Sequence, residues 1–365
     1  MNTSVTRVLY LGVTNFRNIA SADIEFGARF NVVYGDNGQG KTNLLEATYV
    51  ACTSKSFRAN KLSEVTRKPN AGLTRIKMSS DSDGIQCSKD VRIDGAERDV
   101  RIDGKSPENM YVYAARTPVV VFHPQELNLS MGPSVLRRKL LDRAAMYAVP
   151  ASMRVLAEYK RAMRSRQSLL ASGGVRDSSL EIFERVAAER AMEIRAIREQ
   201  MTEKLAAHAG AAFERLGTSG NQFSVGYRAS GGAHVEEMLS SLLQSREDDR
   251  KRGYAAVGPH RDDLVLRLDG KTMRGIASQG QHRLAVLALK MAEMHAVAEA
   301  TGSQPVLLLD DISSELDASR TASLFRFLDE QQGQVIVTTT RPELVPEGSA
   351  QRVNIRVATG EYRRD

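Results

Sequence analysis

The sequence has no tryptophan, only two cysteines and no long apolar run. The last two features argue against a disulfide-rich or zinc-binding protein and against a membrane protein. Cys52 and Cys87 are isolated and lack metal-type spacing, so reduced thiols are expected rather than a disulfide framework or a zinc site. No apolar stretch approaches the length of a membrane span, and the N-terminal residues lack the apolar core of a signal peptide. A cytoplasmic protein without a membrane partner is therefore predicted.

The charge balance favours an acidic partner. The 365 residues include 51 Lys and Arg against 44 Asp and Glu, a formal net charge of +7. An excess of this sign suits a polyanion, and nucleic acid is the usual one. An excess this modest does not decide the question by itself.

One stretch carries a strong chemical signature. An apolar run from Phe30 to Tyr34 precedes the spacing G-x-x-x-x-G-K-[ST], and a helix-prone segment follows. This is the pattern of a P-loop, in which glycines let backbone N–H groups converge on phosphates at a helix N-terminus. Lys41 is expected to reach the β- and γ-phosphates of ATP, and the Thr42 hydroxyl to ligate Mg²⁺. The predicted ATP-binding residues of this loop are Gly35, Asp36, Asn37, Gly38, Gln39, Gly40, Lys41 and Thr42.

A second constellation lies far along the chain. The apolar run from Val306 to Leu309 ends in Asp310 and Asp311, the Walker B arrangement. Asp310 is expected to hold Mg²⁺ beside the P-loop, and Asp311 to polarise the attacking water. Alone such a run is often an ordinary parallel strand. Paired with a P-loop, it predicts an ATPase site.

A third motif precedes Walker B. The segment from Ala277 to Arg283 opens a helix, and Ser278 with Gln281 fits a capping box that leaves Gly280 at the positive helix end. This predicts a second anion-binding terminus, suited to the γ-phosphate of ATP bound by a partner subunit. The alternative is a well-capped helix with no ligand.

The remaining pattern outlines the architecture. Alternating residues from Arg7 to Phe26 predict a β-hairpin, and residues 72 to 116 read as short strands with Asp-Gly turns. Helical spacing from Ser134 to Leu170 and from Leu180 to Leu216 predicts an antiparallel hairpin that projects from the body, with helices packed flat on the body as the alternative. The expected domains are 1–120 and 251–365, the two parts of an ATPase head, and 121–250, an inserted helical lobe.

Several basic and acidic residues remain open to two interpretations. Arg17 either reaches the nucleotide or is a solvated turn residue. The segment with His260, Asp262 and Asp263 suggests a metal site, although a structured loop is the commoner explanation. A solvated face likewise competes with DNA binding for three candidates, which are Lys55, Arg58 and Lys61.

With these motifs in order, the chain resembles the RecF family of bacterial DNA repair ATPases, relatives of the SMC- and ABC-type ATPases. The resemblance covers essentially the whole chain. The strings that carry it, besides the P-loop, are Asn15-Phe-Arg-Asn18, Ser56-Phe-Arg58, Val121-Phe-His-Pro124, Arg137-Arg138 with Leu141-Asp142, Gly258-Pro-His-Arg-Asp-Asp263, Ser278-Gln-Gly-Gln281, and Asp310-Asp311 with Ser314-Glu-Leu-Asp317.

The resemblance implies a fold and a set of roles. The fold would be α/β, an ABC/SMC-type P-loop head of mixed sheet and helices with an inserted helical lobe and arm. Asp311, Lys41 and Gln125 would be catalytic, and Ser278 and Gly280 would act as a signature loop across a dimer. Ser314 to Asp317 would couple the two sites.

The resemblance also implies a biological role. ATP-bound homodimers would bind duplex DNA and junctions of single and double strands, and would work with RecO and RecR to load RecA at gaps. The setting would be replication, recombinational repair and the SOS response at the nucleoid. A weak, DNA-stimulated ATPase would act as the switch.

The sequence departs from the general ABC pattern in three places. The signature begins Ala277-Ser-Gln, the acid after Walker B is Asp311 rather than Glu, and Thr338 to Thr340 stand where ABC proteins have a switch His. These departures suggest slow turnover suited to timing. Two other functions remain open: the nucleotide-binding subunit of a transporter, and a DNA scaffold that binds ATP without hydrolysing it.

Overall fold

The computed structural model describes residues 4–68, 72–172, 177–217, 220–311, 318–345 and 352–365. The chain divides into two compact units. The P-loop unit comprises Met1–Leu127, Ala211–Gly220 and Gln279–Asp365, and the helical unit comprises Asn128–Gly210 and Asn221–Ser278. The domain boundaries predicted near residues 120 and 250 stay predictions.

The strands alternate with helices along much of the chain. The strands are β1 Ser4–Phe16, β2 Ile19–Glu25, β3 Phe30–Tyr34, β4 Thr74–Ser82, β5 Ile85–Asp94, β6 Glu97–Ile102, β7 Val119–Phe122, β8 Phe223–Arg228, β9 Asp263–Leu268, β10 Lys271–Thr272, β11 Ser303–Gln304, β12 Val306–Leu309, β13 Val335–Thr339, β14 Arg352–Ala358 and β15 Glu361–Arg364. The α-helices are α1 Lys41–Thr53, α2 Met110–Ala115, α3 Asn128–Met131, α4 Ser134–Ala148, α5 Ser152–Ser172, α6 Asp177–Leu216, α7 Val235–Gln244, α8 Arg246–Arg252, α9 Gln279–Thr301 and α10 Ala318–Glu330.

Two sheets form the P-loop unit. The first has the order β11-β1-β4-β5-β6 with β2 paired to β1, and the second has the order β15-β14-β3-β13-β12-β7. In the second sheet, strands β14, β3, β13, β12 and β7 run parallel, and their apolar side chains are buried almost throughout. A parallel sheet brings the carboxyl ends of its strands to one edge. The loops after β3 and β12 therefore emerge at the same edge, separated only by β13.

Helix α1 lies in the apolar core of this unit. Every residue of α1 except Thr42 and Asn43 is buried, as expected for a helix surrounded by protein. Its apolar residues belong to one buried cluster with β1, β4 and β5 of the first sheet and with β3, β12 and β14 of the second. The helix after the P-loop is thereby held from both sides.

The helical unit is built on α5 and α6. Tyr159 and Ala162 of α5 share a buried cluster with Ala187 and Ala191 of α6, and Met238 of α7 closes that cluster. A three-stranded sheet of order β10-β9-β8 completes the unit. Among the residues that the structure describes, no helix is both long enough and apolar enough to cross a membrane.

Most of the predicted architecture is confirmed. The α/β class, the β1–β2 hairpin and the strand–loop–helix context of the P-loop are present. Two predictions were wrong in detail. Residues 110–115 form a helix and not a strand, capped by the Asn109 side chain on the Val112 N–H. The first predicted arm is two helices, because Pro150 disfavours helical backbone at Val149 and cannot donate a helical hydrogen bond.

Candidate functional site

The P-loop backbone needs glycine at its two ends. Gly35 has a φ of 151°, and a side chain there would place Cβ 2.3 Å from the Val357 carbonyl oxygen of β14. Gly40 has a φ of 118°, and its Cβ would lie 2.9 Å from Asn18 Oδ1. Both contacts are closer than real Cβ atoms make, so the neighbouring strand and turn compel glycine at these positions.

Three hydrogen bonds from other segments fix the loop between these glycines. The Asn18 side-chain amide donates to the Gln39 carbonyl at 3.0 Å, and the Tyr362 hydroxyl donates to the Gly40 carbonyl at 2.9 Å. The Thr359 N–H donates to the Gln39 side chain at 2.6 Å. Asp36, Asn37 and Gly38 remain exposed on the other side. The contact of Tyr362 was not predicted, because nothing in the sequence around Tyr362 marks it as a neighbour of the P-loop.

Lys41 is bound by the loop that it terminates. Its ammonium donates to the carbonyls of Gly35 at 2.7 Å and Asp36 at 2.9 Å. Burial lowers the pKa of Lys41, while the nearby charges of Asp311 and Asp310 oppose that shift. The ammonium thus sits partly desolvated between backbone dipoles and Walker B, where phosphate oxygens would be stronger partners than carbonyls.

Thr42 and Asp310 meet as predicted for a P-loop and a Walker B strand. The Thr42 hydroxyl donates to Asp310 Oδ1 at 2.8 Å, although 268 positions separate the two residues. The backbone N–H of Asp310 donates to the Phe122 carbonyl at 2.8 Å, which fixes the end of β12 against β7. The sheet therefore assembles the two motifs into one site.

Thr338 binds both Walker B acids. Its hydroxyl donates to Asp310 Oδ1 at 2.8 Å and accepts from the Asp311 N–H at 2.9 Å. Thr338 is fully buried at the end of β13, and Asp311 has a φ of 48°. Thr338 was predicted to stand where ABC proteins have a switch His, but its hydrogen bonds to the two acids were not predicted. One hydroxyl thus binds the carboxylate of Asp310 and the backbone of Asp311.

Asp310 and Thr42 are the oxygen donors that this site offers to a hard cation. Burial raises the pKa of Asp310, and its hydrogen bonds from Thr338 and Thr42 partly offset the effect. Among the described residues, no group of three or more His, Cys, Asp or Glu side chains that could hold a metal ion is present. Mg²⁺ typically takes one or two protein oxygens and completes its shell with water and nucleotide phosphates. The Thr42 and Asp310 oxygens fit that requirement.

Arg17 makes its contacts within the P-loop unit. Its guanidinium donates to both carboxylate oxygens of Glu46, at 2.9 and 2.8 Å, and to the Glu64 carbonyl at 2.8 Å. Glu46 lies on α1 and is fully buried. Contact between Arg17 and the nucleotide stays a prediction, and the structure adds that Arg17 anchors the P-loop helix.

The three DNA-binding candidates lie in different surroundings. Arg58 donates to Asn43 Oδ1 at 2.8 Å and lies 3.4 Å from Glu46 Oε2. Its charge also helps to lower the pKa of Asp310, against the larger effect of burial, so it lies near the Walker B acid. Lys55 and Lys61 are exposed. DNA contact by these residues stays a prediction.

Gln125 is exposed in a short 3₁₀ helix, Pro124–Leu127, that follows β7. The next residue, Glu126, forms an ion pair with the fully buried Lys290 of α9 at 2.9 Å, and Lys290 also pairs with Glu293. This triad fixes the segment that carries Gln125 to the helix that begins at the signature sequence. The catalytic role of Gln125 stays a prediction.

The signature residues stand where α9 begins. Helix α9 starts at Gln279, directly after Ser278, and Gly280 lies in its first turn. A Cβ at Gly280 would lie 2.9 Å from the Arg320 guanidinium nitrogens of α10. The absence of a side chain therefore lets a cation approach this helix terminus. The coupling loop predicted at Ser314 to Asp317 lies outside the described residues.

The suspected metal loop is occupied by protein partners. The carboxylate of Asp263 accepts two bonds from Arg137, at 2.7 and 3.0 Å, and Asp262 accepts from Arg198 and Tyr227. His260 Nδ1 lies 2.8 Å from the Tyr159 hydroxyl. Protein groups bind these carboxylate and imidazole atoms, which favours the structured loop of the two explanations; metal binding here stays untested.

The described geometry agrees with comparisons to known proteins. A family model described as the RecF/RecN/SMC N terminal domain matches residues 7–362. The chain is 37% identical over 358 residues to the DNA replication and repair protein RecF of Myxococcus xanthus, covering 94% of this chain and 93% of that protein. It is 35% identical over 358 residues to the protein of the same name from Geobacter sulfurreducens, covering 96% and 97%.

A solved structure shows the same fold. The structure of the recombination mediator protein RecF-ATPrS in the RecFOR pathway superposes with a TM-score of 0.89 at 27% identity, and the match covers 100% of both chains. The likeness therefore includes both the P-loop unit and the helical unit. Sequence, family model and fold all indicate the same group of proteins.

Proposed function

Because this chain belongs to the RecF family, we propose that it is an ATP-dependent DNA-binding protein of replication and repair, whose homodimer forms on ATP and opens after hydrolysis. The observation that carries the proposal is the contact between Thr42 and Asp310, which joins the P-loop to Walker B. The similar RecF protein was solved with ATPrS, which supports ATP as the nucleotide here. Binding of duplex DNA and of gapped junctions belongs to the same proposal.

Each residue near the P-loop has a part in this scheme. The loop amides and Lys41 bind the phosphates, and Lys41 exchanges its carbonyl partners for phosphate oxygens. Thr42 and Asp310 would hold Mg²⁺, and the bound ion would offset the charge that develops on the phosphates. Asp311 orients the attacking water and accepts its proton, with its backbone held by Thr338. Removal of water by the second copy of the chain would complete the site.

The signature loop and the partners extend the scheme. Ser278 and Gly280 of one copy would bind the γ-phosphate held by the other, so dimerisation depends on ATP. Asp311 has a shorter side chain than Glu, which suits slow hydrolysis and a long-lived clamp. RecO and RecR would recognise the clamp on gapped DNA and promote RecA loading there.

The direct test combines sizing with DNA binding. Purified protein is mixed with gapped duplex in the presence of ATP, ADP or no nucleotide, and the mass of each complex is measured by light scattering. We expect a dimer on DNA with Mg·ATP only. A protein that stays monomeric with saturating Mg·ATP and gapped duplex contradicts the proposal.

Two variants separate the steps. Asp311→Asn should accumulate ATP-bound dimers on DNA, and Lys41→Ala should reduce ATP affinity by about 100-fold because charged hydrogen bonds to phosphate are lost. Phosphate release with and without gapped DNA distinguishes a switch from a scaffold. A protein that binds DNA with ATP but releases no phosphate would be the scaffold.

A further inference from the structure

The positive charge of the chain is concentrated in two helices. Residues 134–172, which contain α4 and α5, hold nine basic and two acidic residues, an excess of seven. The formal net charge of the whole chain is also +7, so the remaining residues are neutral in sum. Carboxylates from other segments neutralise some of these cations, such as Arg137 and Arg166, and those left exposed would attract a polyanion partner.

Polar contacts fix the rotation of α5 about its axis. On its inner face, the Tyr159 hydroxyl lies 2.8 Å from His260 Nδ1. The fully buried Arg166 donates to Glu184 at 3.0 Å and to Asp249 at 2.7 Å. Polar contacts to three other segments keep this side of α5 buried, and the opposite side faces solvent.

The outer side of α5 carries four exposed cations. Arg154, Lys160, Arg161 and Arg164 are exposed and lie within an arc of about 120°, opposite the buried residues. We call these four residues the α5 basic face. The only acid of α5, Glu158, pairs with both Arg154 and Arg190. In the part of the chain that the structure describes, Lys160, Arg161 and Arg164 have no carboxylate within ion-pair distance.

We propose that the α5 basic face binds the phosphate backbone of double-stranded DNA. The proposal rests on the proposed DNA-binding function and names the surface that performs it, in a different unit from Lys55, Arg58 and Lys61. From Arg154 to Arg164 the helix rises about 15 Å. That length spans about four phosphates of one strand. Arginine and lysine at this spacing match a row of phosphates without reading bases.

The composition of the face favours duplex over single-stranded DNA. Proteins that bind single strands combine positive charge with aromatic side chains on which bases stack. The only aromatic residue of α5 is Tyr159, which is buried against His260. A face with cations and no aromatic ring contacts the outside of a duplex.

The test compares two double variants of equal charge. Arg161→Gln/Arg164→Gln removes two cations from the face. Lys77→Gln/Arg185→Gln removes two exposed cations, from β4 and α6, that have no ion pair among the residues that the structure describes. Binding to a blunt duplex is measured with Mg·ATP at several salt concentrations, along with ATP affinity and melting temperature. We expect the first variant to bind about tenfold more weakly and its log–log salt dependence to fall by about 1.8, with ATP affinity and melting unchanged.

The outcomes decide the proposal. Loss in the first variant and not in the second supports it. Equal losses in both would show that only net charge matters, and unchanged binding by the first variant would leave the face to an acidic protein partner; either result overturns it. If wild-type protein binds no DNA with any nucleotide, the proposed function itself fails, and that result is distinguishable from a defect confined to the variant.

Discussion

The helical unit and the Walker motifs handle buried charge in opposite ways. In the helical unit, Arg137, Arg166 and Arg198 each meet carboxylates that are themselves largely buried, so each of these three cations has a counter-charge within the fold. In the P-loop unit, Lys41 is held by neutral carbonyls, and burial raises the pKa of Asp310. A buried charge that protein groups neutralise is part of the scaffold. A partly desolvated charge whose hydrogen-bond partners are neutral carbonyls is available to a ligand.

This difference explains why similar motifs acquire different roles. Gly258 to Asp263 and the P-loop are both polar turns with glycine and charged residues. Arginines bind the carboxylates of the first turn, whereas Lys41 of the P-loop is bound by backbone carbonyls. The two turns contain similar residue types. They differ in whether charged side chains of the protein neutralise their charged residues.

Removal of a buried, neutralised cation from the helical unit should have the largest effect on stability. Arg166→Met would leave Glu184 and Asp249 buried with less counter-charge, and we expect the free energy of unfolding to fall by about 3–5 kcal/mol. Urea denaturation measures the change. ATP affinity should not change, because Arg166 lies outside the P-loop unit.

The matched control lies on the same helix. Arg154 pairs with Glu158, but its side chain is 64% exposed. Arg154→Met should alter stability by less than about 0.5 kcal/mol. Similar losses in the two variants would contradict the claim that neutralised buried charge forms the scaffold.

Thr338 tests the part of the comparison that concerns the Walker motifs. Thr338→Val keeps the shape of the side chain but removes its bonds to Asp310 and to the Asp311 N–H. We expect ATP turnover to fall about tenfold, since a charged and a neutral hydrogen bond are lost. Thr338→Ser keeps the hydroxyl and should restore turnover.

The readout separates positioning from simple loss of fold. Phosphate release is compared with ATP affinity and unfolding free energy for both variants. If Val and Ser at position 338 lower turnover equally, the hydroxyl does not position the acids.

Lys89 provides the smallest and most specific test. It is fully buried in β5, where it donates to the Cys52 carbonyl at 3.0 Å and lies 4.3 Å from the Tyr113 ring centroid. Burial lowers the pKa of Lys89 to about 8, from an ordinary value of 10.5. The native state therefore binds fewer protons than the unfolded state between these two values, and the contribution of Lys89 to stability rises with pH across that window.

The measurement is the difference in unfolding free energy between wild type and Lys89→Met. This difference should shift in favour of wild type by about 1 kcal/mol per pH unit above pH 8. The window from pH 8 to 9 is preferred, because burial raises the pKa of Cys52 to about 12 and that shift acts in the opposite direction above the ordinary thiol value of 9.0. A difference independent of pH would show that Lys89 titrates normally.

Much of the fold followed from local pattern. Phe30 to Thr42 predicted strand, loop and helix because the apolar run, the glycines and the helix formers are adjacent in the chain. The helical arms followed from apolar periodicity. The break at Pro150 and the short helix at Met110–Ala115 were missed, since a short segment carries too little periodicity to separate helix from strand.

The supports of the site could not be predicted from pattern. Glu46 is an ordinary helix residue in sequence, yet it binds Arg17 and Ser56 in the fold. Tyr362 reaches the Gly40 carbonyl from 322 positions away, and no local signal marks that pairing.

The residues proposed for phosphate and Mg²⁺ could be predicted from sequence, because each Walker motif is a run of neighbouring residues. Which buried charges are neutralised by protein partners depends on the fold. The parallel sheet brings Thr338 and Asp310 to Thr42, and helix packing gives Arg137 and Arg166 their carboxylates. A charge is neutralised only by a partner that is close in space. Residues far apart in the chain come close only when the core forms.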